Sequence, residues 1–173
     1  MENLKKILPP SANPELIVNN LLNIRSATLE DVNRIFELLE IYAVNHIVLP
    51  RSHEDIAFFI GNFVVAEYEG KVCGCAAVRD FGNDLLELRS LVVEPGLQGK
   101  GVGKAIIGMI VEKLRNQRQN WRLFALTLRP DFFRAIGFRE VNKDLFPEKI
   151  WSDCSKCSKR DCCDEIALLL ESK

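Results

Sequence analysis

Glu87 is the acid that stands out in this chain. It lies inside an apolar run, Leu85-Leu86-Glu87-Leu88, which continues through Arg89, Ser90, Leu91, Val92 and Val93 and reads as a buried strand. A carboxylate surrounded by leucines is disposed to take up a proton, because burial disfavours its charged form. It is therefore a candidate general base. Pairing with Arg89, two residues on and on the same face, is the structural alternative. Pro95-Gly96 ends the strand, and Gln98-Gly99-Lys100-Gly101-Val102-Gly103-Lys104 follows, running directly into an amphipathic stretch. Glycines ahead of a helix let an anion approach its unpaired N–H groups and positive end. The spacing is neither that of a P-loop nor that of a dinucleotide fingerprint. A tight strand–helix connection would use the same glycines.

Other residues with chemistry lie farther away. Arg51, Arg89 and Lys149 are donors for a carboxylate. Thr127 ends an apolar strand and carries a hydroxyl. The segment 151–164 holds Cys154, Cys157, Cys162 and Cys163. Four clustered thiols can bind zinc or an iron–sulfur cluster, form a disulfide, or remain reduced. The adjacent pair Cys162-Cys163 is awkward for a single ion, so no metal is assigned. Cys73 and Cys75 alternate along a strand as small buried residues. His46 and His53 read as ordinary loop and helix residues.

These groups need a scaffold. With 173 residues, 47% hydrophobic and 27% charged, the chain is long enough for one core. A net charge of −1 makes no electrostatic case for nucleic acid or an anionic membrane. No apolar run has the length of a membrane span or a signal peptide, so the cytoplasm is the expected compartment. Residues 1–23, broken by Pro9, Pro10 and Pro14, read as an added arm for packing or for a homodimer, and 24–173 as the domain. Strand 24–27 precedes a helix capped by Thr28 and Asp31, with Leu29, Val32, Ile35, Phe36 and Leu39 on its inner face. Ser52 caps a second helix carrying Ile56, Phe59 and Ile60. Strands at 63–68 and 71–78, joined by Glu69-Gly70, lead to the Glu87 strand. A helix over 101–117, a strand over 121–128, a short helix at 131–136, extended structure over 138–141 and a last strand at 166–170 complete the chain. This order predicts a mixed, largely antiparallel sheet flanked by helices, an α/β (α+β) fold.

The glycine pattern after a Val-x-Pro strand end, together with Phe132-Phe133-Arg134-Ala135-Ile136-Gly137-Phe138, resembles the GNAT (N-acetyltransferase) superfamily. Four further segments make the resemblance narrower: Leu49-Pro50-Arg51-Ser52, Glu87 to Leu91, Leu123 to Thr127, and Phe146-Pro147-Glu148-Lys149-Ile150-Trp151 with Asp153-Cys154. They are similar to the acetyltransferase domain of N-acetylglutamate synthases in their short form, which lacks the arginine-sensing kinase domain. The resemblance implies transfer of acetyl from acetyl-CoA to the α-amine of L-glutamate, in arginine biosynthesis. It implies that Glu87 is the base and Thr127 the hydroxyl that protonates the thiolate, a water relay being the alternative. The tyrosine that many GNAT enzymes use for that step is replaced here by Phe132 and Phe133. It further implies that Leu91, Val92 and Val93 bind the acetyl and pantetheine groups through backbone amides. Gln98, Gly99, Lys100, Gly101, Val102, Gly103 and Lys104 would hold the pyrophosphate. Leu49, Arg51, Ser90 and, if a bulge turns the strand, Arg89 would contact the acceptor. The rival expectations are another amine as acceptor, or a thiol- or metal-responsive regulator on the same scaffold.

Overall fold

The computed structural model describes residues 21–156 and 162–172. Seven strands form one sheet: β1 (Leu22–Ser26), β2 (Phe63–Tyr68), β3 (Lys71–Gly82), β4 (Leu85–Val93), β5 (Arg122–Thr127), β6 (Arg139–Glu140) and β7 (Ile166–Glu171). Their spatial order is β1-β2-β3-β4-β5-β7-β6, and among the described residues only β4 and β5 run parallel. The helices are α1 (Val32–Ala43), α2 (His53–Phe58), α3 (Val102–Gln117), α4 (Pro130–Ala135) and α5 (Pro147–Ser152). Thus the expected fold is present, with α5 added and the extended stretch at 138–141 forming the short β6. The proposed arm reaches into β1, which begins at Leu22; residues 1–20 lie outside the described part.

Two apolar layers hold the helices to the sheet. On one face α3 buries Val102, Ile106, Ile107, Ile110, Val111 and Leu114 against Val64, Ala66, Ala76, Leu86, Leu88 and Leu123. The 3.6-residue period of those positions predicts this stripe. On the other face Ile35, Leu38 and Leu39 of α1 and Ile56 of α2 cover Phe63, Val65, Cys75, Ala77 and Val92. Beside them Phe146, just ahead of α5, stacks on Phe124 of β5 with ring centroids 4.0 Å apart.

Local caps set the helix starts. Thr28 and Asp31 form the expected capping box, but they close a 3-10 turn, Leu29–Asp31, ahead of α1. That turn winds more tightly than an α-helix, so Leu29 swings off the inner stripe and is 68% exposed. Asp31 also accepts two hydrogen bonds from Arg25 of β1, at 2.7 and 2.9 Å. Ser52 caps α2 by accepting from the Asp55 N–H. Phe59 falls past the end of α2 and is 39% exposed rather than inner.

Strand β4 is shaped for more than pairing. Its register with β3 shifts between Cys75/Val92 and Ala77/Arg89, so Ser90 and Leu91 oppose the single residue Ala76. Ser90 lies at φ 55, a left-handed conformation costing a non-glycine residue about 1 kcal/mol or more. This is the bulge on which the role of Arg89 depends. Farther along the pair Gly74, opposite Val93, has no room for a Cβ, which would stand 3.0 Å from the Val92 carbonyl oxygen and 3.2 Å from Ile106 Cδ1. Helix α3 thereby lies close against the sheet.

Candidate active site

Strands β4 and β5 pair over only three rungs, Leu85–Arg122, Leu86–Leu123 and Glu87–Phe124. Beyond Glu87, β4 stays with β3 while β5 continues with β7, and the sheet forks. A cavity of about 650 Å³ fills the fork. One wall is Leu88 to Val93, the other Ala125 to Arg129, and the start of α3 closes the end with Gly99 and Gly101 to Lys104. Phe132 and Phe133 of α4 and Tyr42 of α1 also line it.

The glycine loop presents backbone here. Gly99 and Gly101 take φ of 73 and 87, which L-residues adopt at a cost. Gly101 is the N-cap of α3, and no side chain caps the helix or places an acid in its first turn. The N–H groups of Val102 and Gly103 are therefore left for an anion. Lys104, one turn in, is buried, and desolvation lowers its pKa from the ordinary value. Tyr42 of α1 ties the loop down: its hydroxyl donates to the Val93 carbonyl and accepts from Gln98 Nε2 at 2.5 Å.

Charged groups gather on the opposite face of the fork. Glu87 is 3% exposed and sits on the last shared rung. Its Oε1 lies 2.7 Å from Lys149 Nζ of α5, and its Oε2 lies 3.8 Å from Arg89 Nη1. Glu87 Oε2 and Arg89 Nε are both buried without a hydrogen-bond partner. Burial and the nearby Arg51 lower the Arg89 pKa. Lys149 also donates to Asp153 at 2.8 Å, and Arg79 of β3 donates to both Asp153 oxygens at 2.7 Å. Burial opposes ionisation of Asp153, but the Lys149 and Arg79 hydrogen bonds outweigh it and hold the carboxyl well below its usual range. Arg51 donates to Ser90 Oγ at 3.1 Å and to Asp55 at 2.5 Å, which joins the linker ahead of α2 to the bulge.

Three comparisons decide the family. A family model described as "Acetyltransferase (GNAT) domain" matches residues 60–140. An uncharacterized N-acetyltransferase of Chlorobaculum tepidum is 40% identical over 146 residues, 84% of this chain and 94% of that protein. The chain belongs to the GNAT acetyltransferases. An amino-acid acetyltransferase of Mycobacterium tuberculosis is 35% identical over 121 residues, 68% of each chain. The N-acetylglutamate synthase of Neisseria gonorrhoeae, solved with coenzyme A and N-acetyl-glutamate, matches this fold with a TM-score of 0.77 at 28% identity. That match covers 88% of this chain but 35% of the synthase, so the chain spans about a third of it.

In this GNAT domain the residues singled out from sequence fall into three places. Leu91, Val92, Val93, Gln98, Gly99, Gly101, Val102, Gly103, Lys104, Arg89, Ser90 and Thr127 line the fork. Glu87 and Arg51 stand beside it, buried or half-buried, while Lys100 is outside the lining and Leu49 is 66% exposed. Thr127 Oγ1 accepts from the Arg129 N–H at 2.9 Å, which leaves its own O–H to donate. His53 stacks on Phe36, with centroids 3.8 Å apart, and has no place in the site. Cys75 is fully buried, its thiol pushed up to about 12 by desolvation. Among the described residues no group of three or more His, Cys, Asp or Glu side chains is placed to hold a metal ion. Cys157, part of the cysteine segment, lies outside the described residues. Among the described residues no helix is long and apolar enough to cross a membrane.

No local signal in the sequence gives Tyr42 or Asp153 a role or marks α5 as a helix. Tyr42 follows Ile35 by seven residues and Leu39 by three, so extending the α1 stripe by one turn would have brought it to the sheet. Lys149 and Asp153 are four apart, the spacing of a shared helical face, but nothing local marks six residues as a helix.

Proposed function

We propose that this GNAT domain transfers the acetyl group of acetyl-CoA to the α-amine of an amino acid, and that the amino acid is L-glutamate. The observation that carries this reading is the pair of buried polar atoms without hydrogen-bond partners, the acceptor Glu87 Oε2 and the donor Arg89 Nε. An α-amino acid offers their complements, an ammonium group and a carboxylate. Arg51, held by Ser90 and Asp55 at the bulge, supplies a second guanidinium for a second carboxylate. The gonococcal synthase, solved with N-acetyl-glutamate, supports that choice.

The residues divide the work as follows. The open amides of Gly101 to Gly103 suit the diphosphate of coenzyme A, and the bulged backbone of β4 suits its acyl arm. Glu87 Oε2 takes a proton from the ammonium, which frees the nitrogen lone pair to attack the thioester carbon. Thr127 stands on the facing wall with its O–H available for the departing thiolate. Acceptor and acyl donor then meet from opposite faces of the fork.

The test is a panel of amino acids with acetyl-CoA. L-Glutamate is expected to give the highest kcat/KM. Arg51→Ala is expected to raise KM for glutamate about tenfold or more with KM for acetyl-CoA unchanged. Glu87→Gln is expected to lower kcat about 10²-fold or more. No preference for dicarboxylic amino acids, or a Glu87→Gln enzyme that keeps its rate, overturns the reading.

A further inference from the structure

Helix α5 brings a lysine against the carboxylate that the acceptor must use. Lys149 is 6% exposed, and a lysine seldom enters such a place without a partner. Two carboxylates meet it, Glu87 Oε1 at 2.7 Å and Asp153 Oδ2 at 2.8 Å. Asp153 does not move freely, because both of its oxygens accept from Arg79 on the neighbouring strand. Across β3 and β4, Arg79 is the register partner of Glu87. The charges therefore run Glu87, Lys149, Asp153, Arg79, with Arg89 Nη1 between the two carboxylates at 3.8 Å from Glu87 Oε2 and 3.5 Å from Asp153 Oδ2, and Glu87 Oε2 is left without a hydrogen bond.

We infer that Lys149 is a positioning residue for Glu87: its ammonium, shared with Asp153, fixes the carboxylate so that Oε2 faces the acceptor, and sets how acidic a medium the transfer tolerates. This rests on the proposed role of Glu87 as base.

The sharing has a chemical purpose. When the acceptor ammonium gives a proton to Glu87 Oε2, Glu87 becomes neutral. A buried lysine paired to Glu87 alone would then be an uncompensated cation, which is strongly destabilising. Asp153 removes that cost. It stays ionised, stays bonded to Arg79, and keeps the Lys149 ammonium at hydrogen-bond distance while Glu87 is protonated. No proton leaves Lys149 in this step: the N–H bond broken belongs to the acceptor, and the O–H bond formed is on Glu87. The Lys149 pKa fits this account. Burial alone lowers it, but attraction to Glu87 and the hydrogen bond to Asp153 outweigh burial and hold it above the ordinary value.

The other charges facing Glu87 are Arg89 on its own strand and Glu165 just ahead of β7. Glu165 interacts with both Lys149 and Glu87, and its own pKa is raised chiefly by burial. Neither replaces Lys149, since Arg89 Nη1 is 3.8 Å away and Glu165 carries the opposite sign.

The test is the pH dependence of kcat/KM, measured on the full-length protein with acetyl-CoA and whichever amino acid of the panel turns over fastest. Lys149→Met removes a positive charge beside the base and is expected to move the acidic edge of the profile up by about one pH unit or more. Asp153→Asn surrenders the whole ammonium to Glu87 and is expected to move the edge down. Lys149→Arg keeps the charge and is expected to keep the edge while slowing the reaction. A packing defect lowers rate or stability but does not move the two edges in opposite directions, so the pair of variants separates positioning from mere structure. If Lys149→Met does not fold, Asp153→Asn and Lys149→Arg still decide the matter. Edges that stay in place, or that move in the same direction, overturn the role of Lys149. A Glu87→Gln enzyme that keeps its rate overturns the proposed function first. Loss of rate in Glu87→Gln with unmoved edges overturns only the role of Lys149.

Discussion

Replacing Gly101 by alanine tests whether the glycine loop is a binding surface or only a connection. Gly101 sits at φ 87 and ψ −2, at the N-cap of α3. An L-residue there costs about 1–2 kcal/mol relative to its relaxed conformation. The chain has two ways to bear that cost. If the loop keeps its shape, the cost appears as lower stability, measurable by urea unfolding, with coenzyme A affinity retained. If the loop relaxes toward negative φ, stability is largely kept and the N–H groups turn away from the ligand. Binding then weakens by the same 1–2 kcal/mol, about 5- to 30-fold in Kd. Calorimetric titration with coenzyme A, read beside urea unfolding, therefore gives two numbers whose sum is fixed by one backbone conformation. Gly61→Ala is the control, since Gly61 lies in a 3-10 turn with nothing within 4 Å of an added Cβ. Should Gly101→Ala change neither stability nor affinity beyond the control, the loop does not hold the conformation that binding requires.

Two further perturbations reach other parts of the molecule. Thr127→Val keeps the β-branched shape but removes the hydroxyl; kcat is expected to fall about 10²-fold by steady-state assay, and an unchanged kcat assigns the thiolate proton to water. Asp31→Asn is expected to flatten the acid side of the stability profile in urea unfolding below about pH 4. The Arg25 hydrogen bonds, first of all, and the Thr28 N–H lower the Asp31 pKa in the fold, while the unfolded value stays near the ordinary ~3.9. Its contribution is therefore present above about pH 4 and lost as pH falls through the folded value. An Asp31→Asn protein that loses stability with acid as steeply as the parent removes Asp31 from that account.

What was legible in the sequence follows from what each signal measures. Hydrophobic period reports burial along one element, and it located α3, the β2–β3 hairpin and β4 because each packs on the sheet over several turns or rungs. Turn chemistry located Glu69-Gly70, where both residues take positive φ. Glu87 stood out because burial of a carboxylate is costly and so rarely accidental. The bulge at Ser90 was only a condition, since no residue type announces it; serine there carries strain that glycine would avoid. Helix α5 was illegible for a related reason. Six residues are too few to show a period, and the helix is held by Phe146 stacking on Phe124 from a distant strand. Lys149 therefore reads only as a possible donor to a substrate carboxylate, whereas it is buried against Glu87. The relation of Lys149 to Glu87 is a contact across 62 positions, and single-sequence spacing carries no such information.

The connectivity explains why these groups meet at all. A 16-residue helix, α3, separates β4 from β5, and a crossover of that length returns the chain parallel to the strand it left. The neighbouring strands are joined antiparallel, so β4 serves two kinds of partner at once. Its bulge turns it with β3 and away from β5, and the parallel pairing ends after three rungs. The crossover helix must begin just beyond the end of β4, so its open amides stand at the mouth of the fork. Glu87, on the last shared rung, stands at its root. A ligand lying along the fork thus reaches from helix start to carboxylate without any further element. The arrangement depends on β4 leaving β5 at Glu87. A β4 straightened by removing one residue of the bulge is expected to close the fork and abolish coenzyme A binding while the sheet still folds.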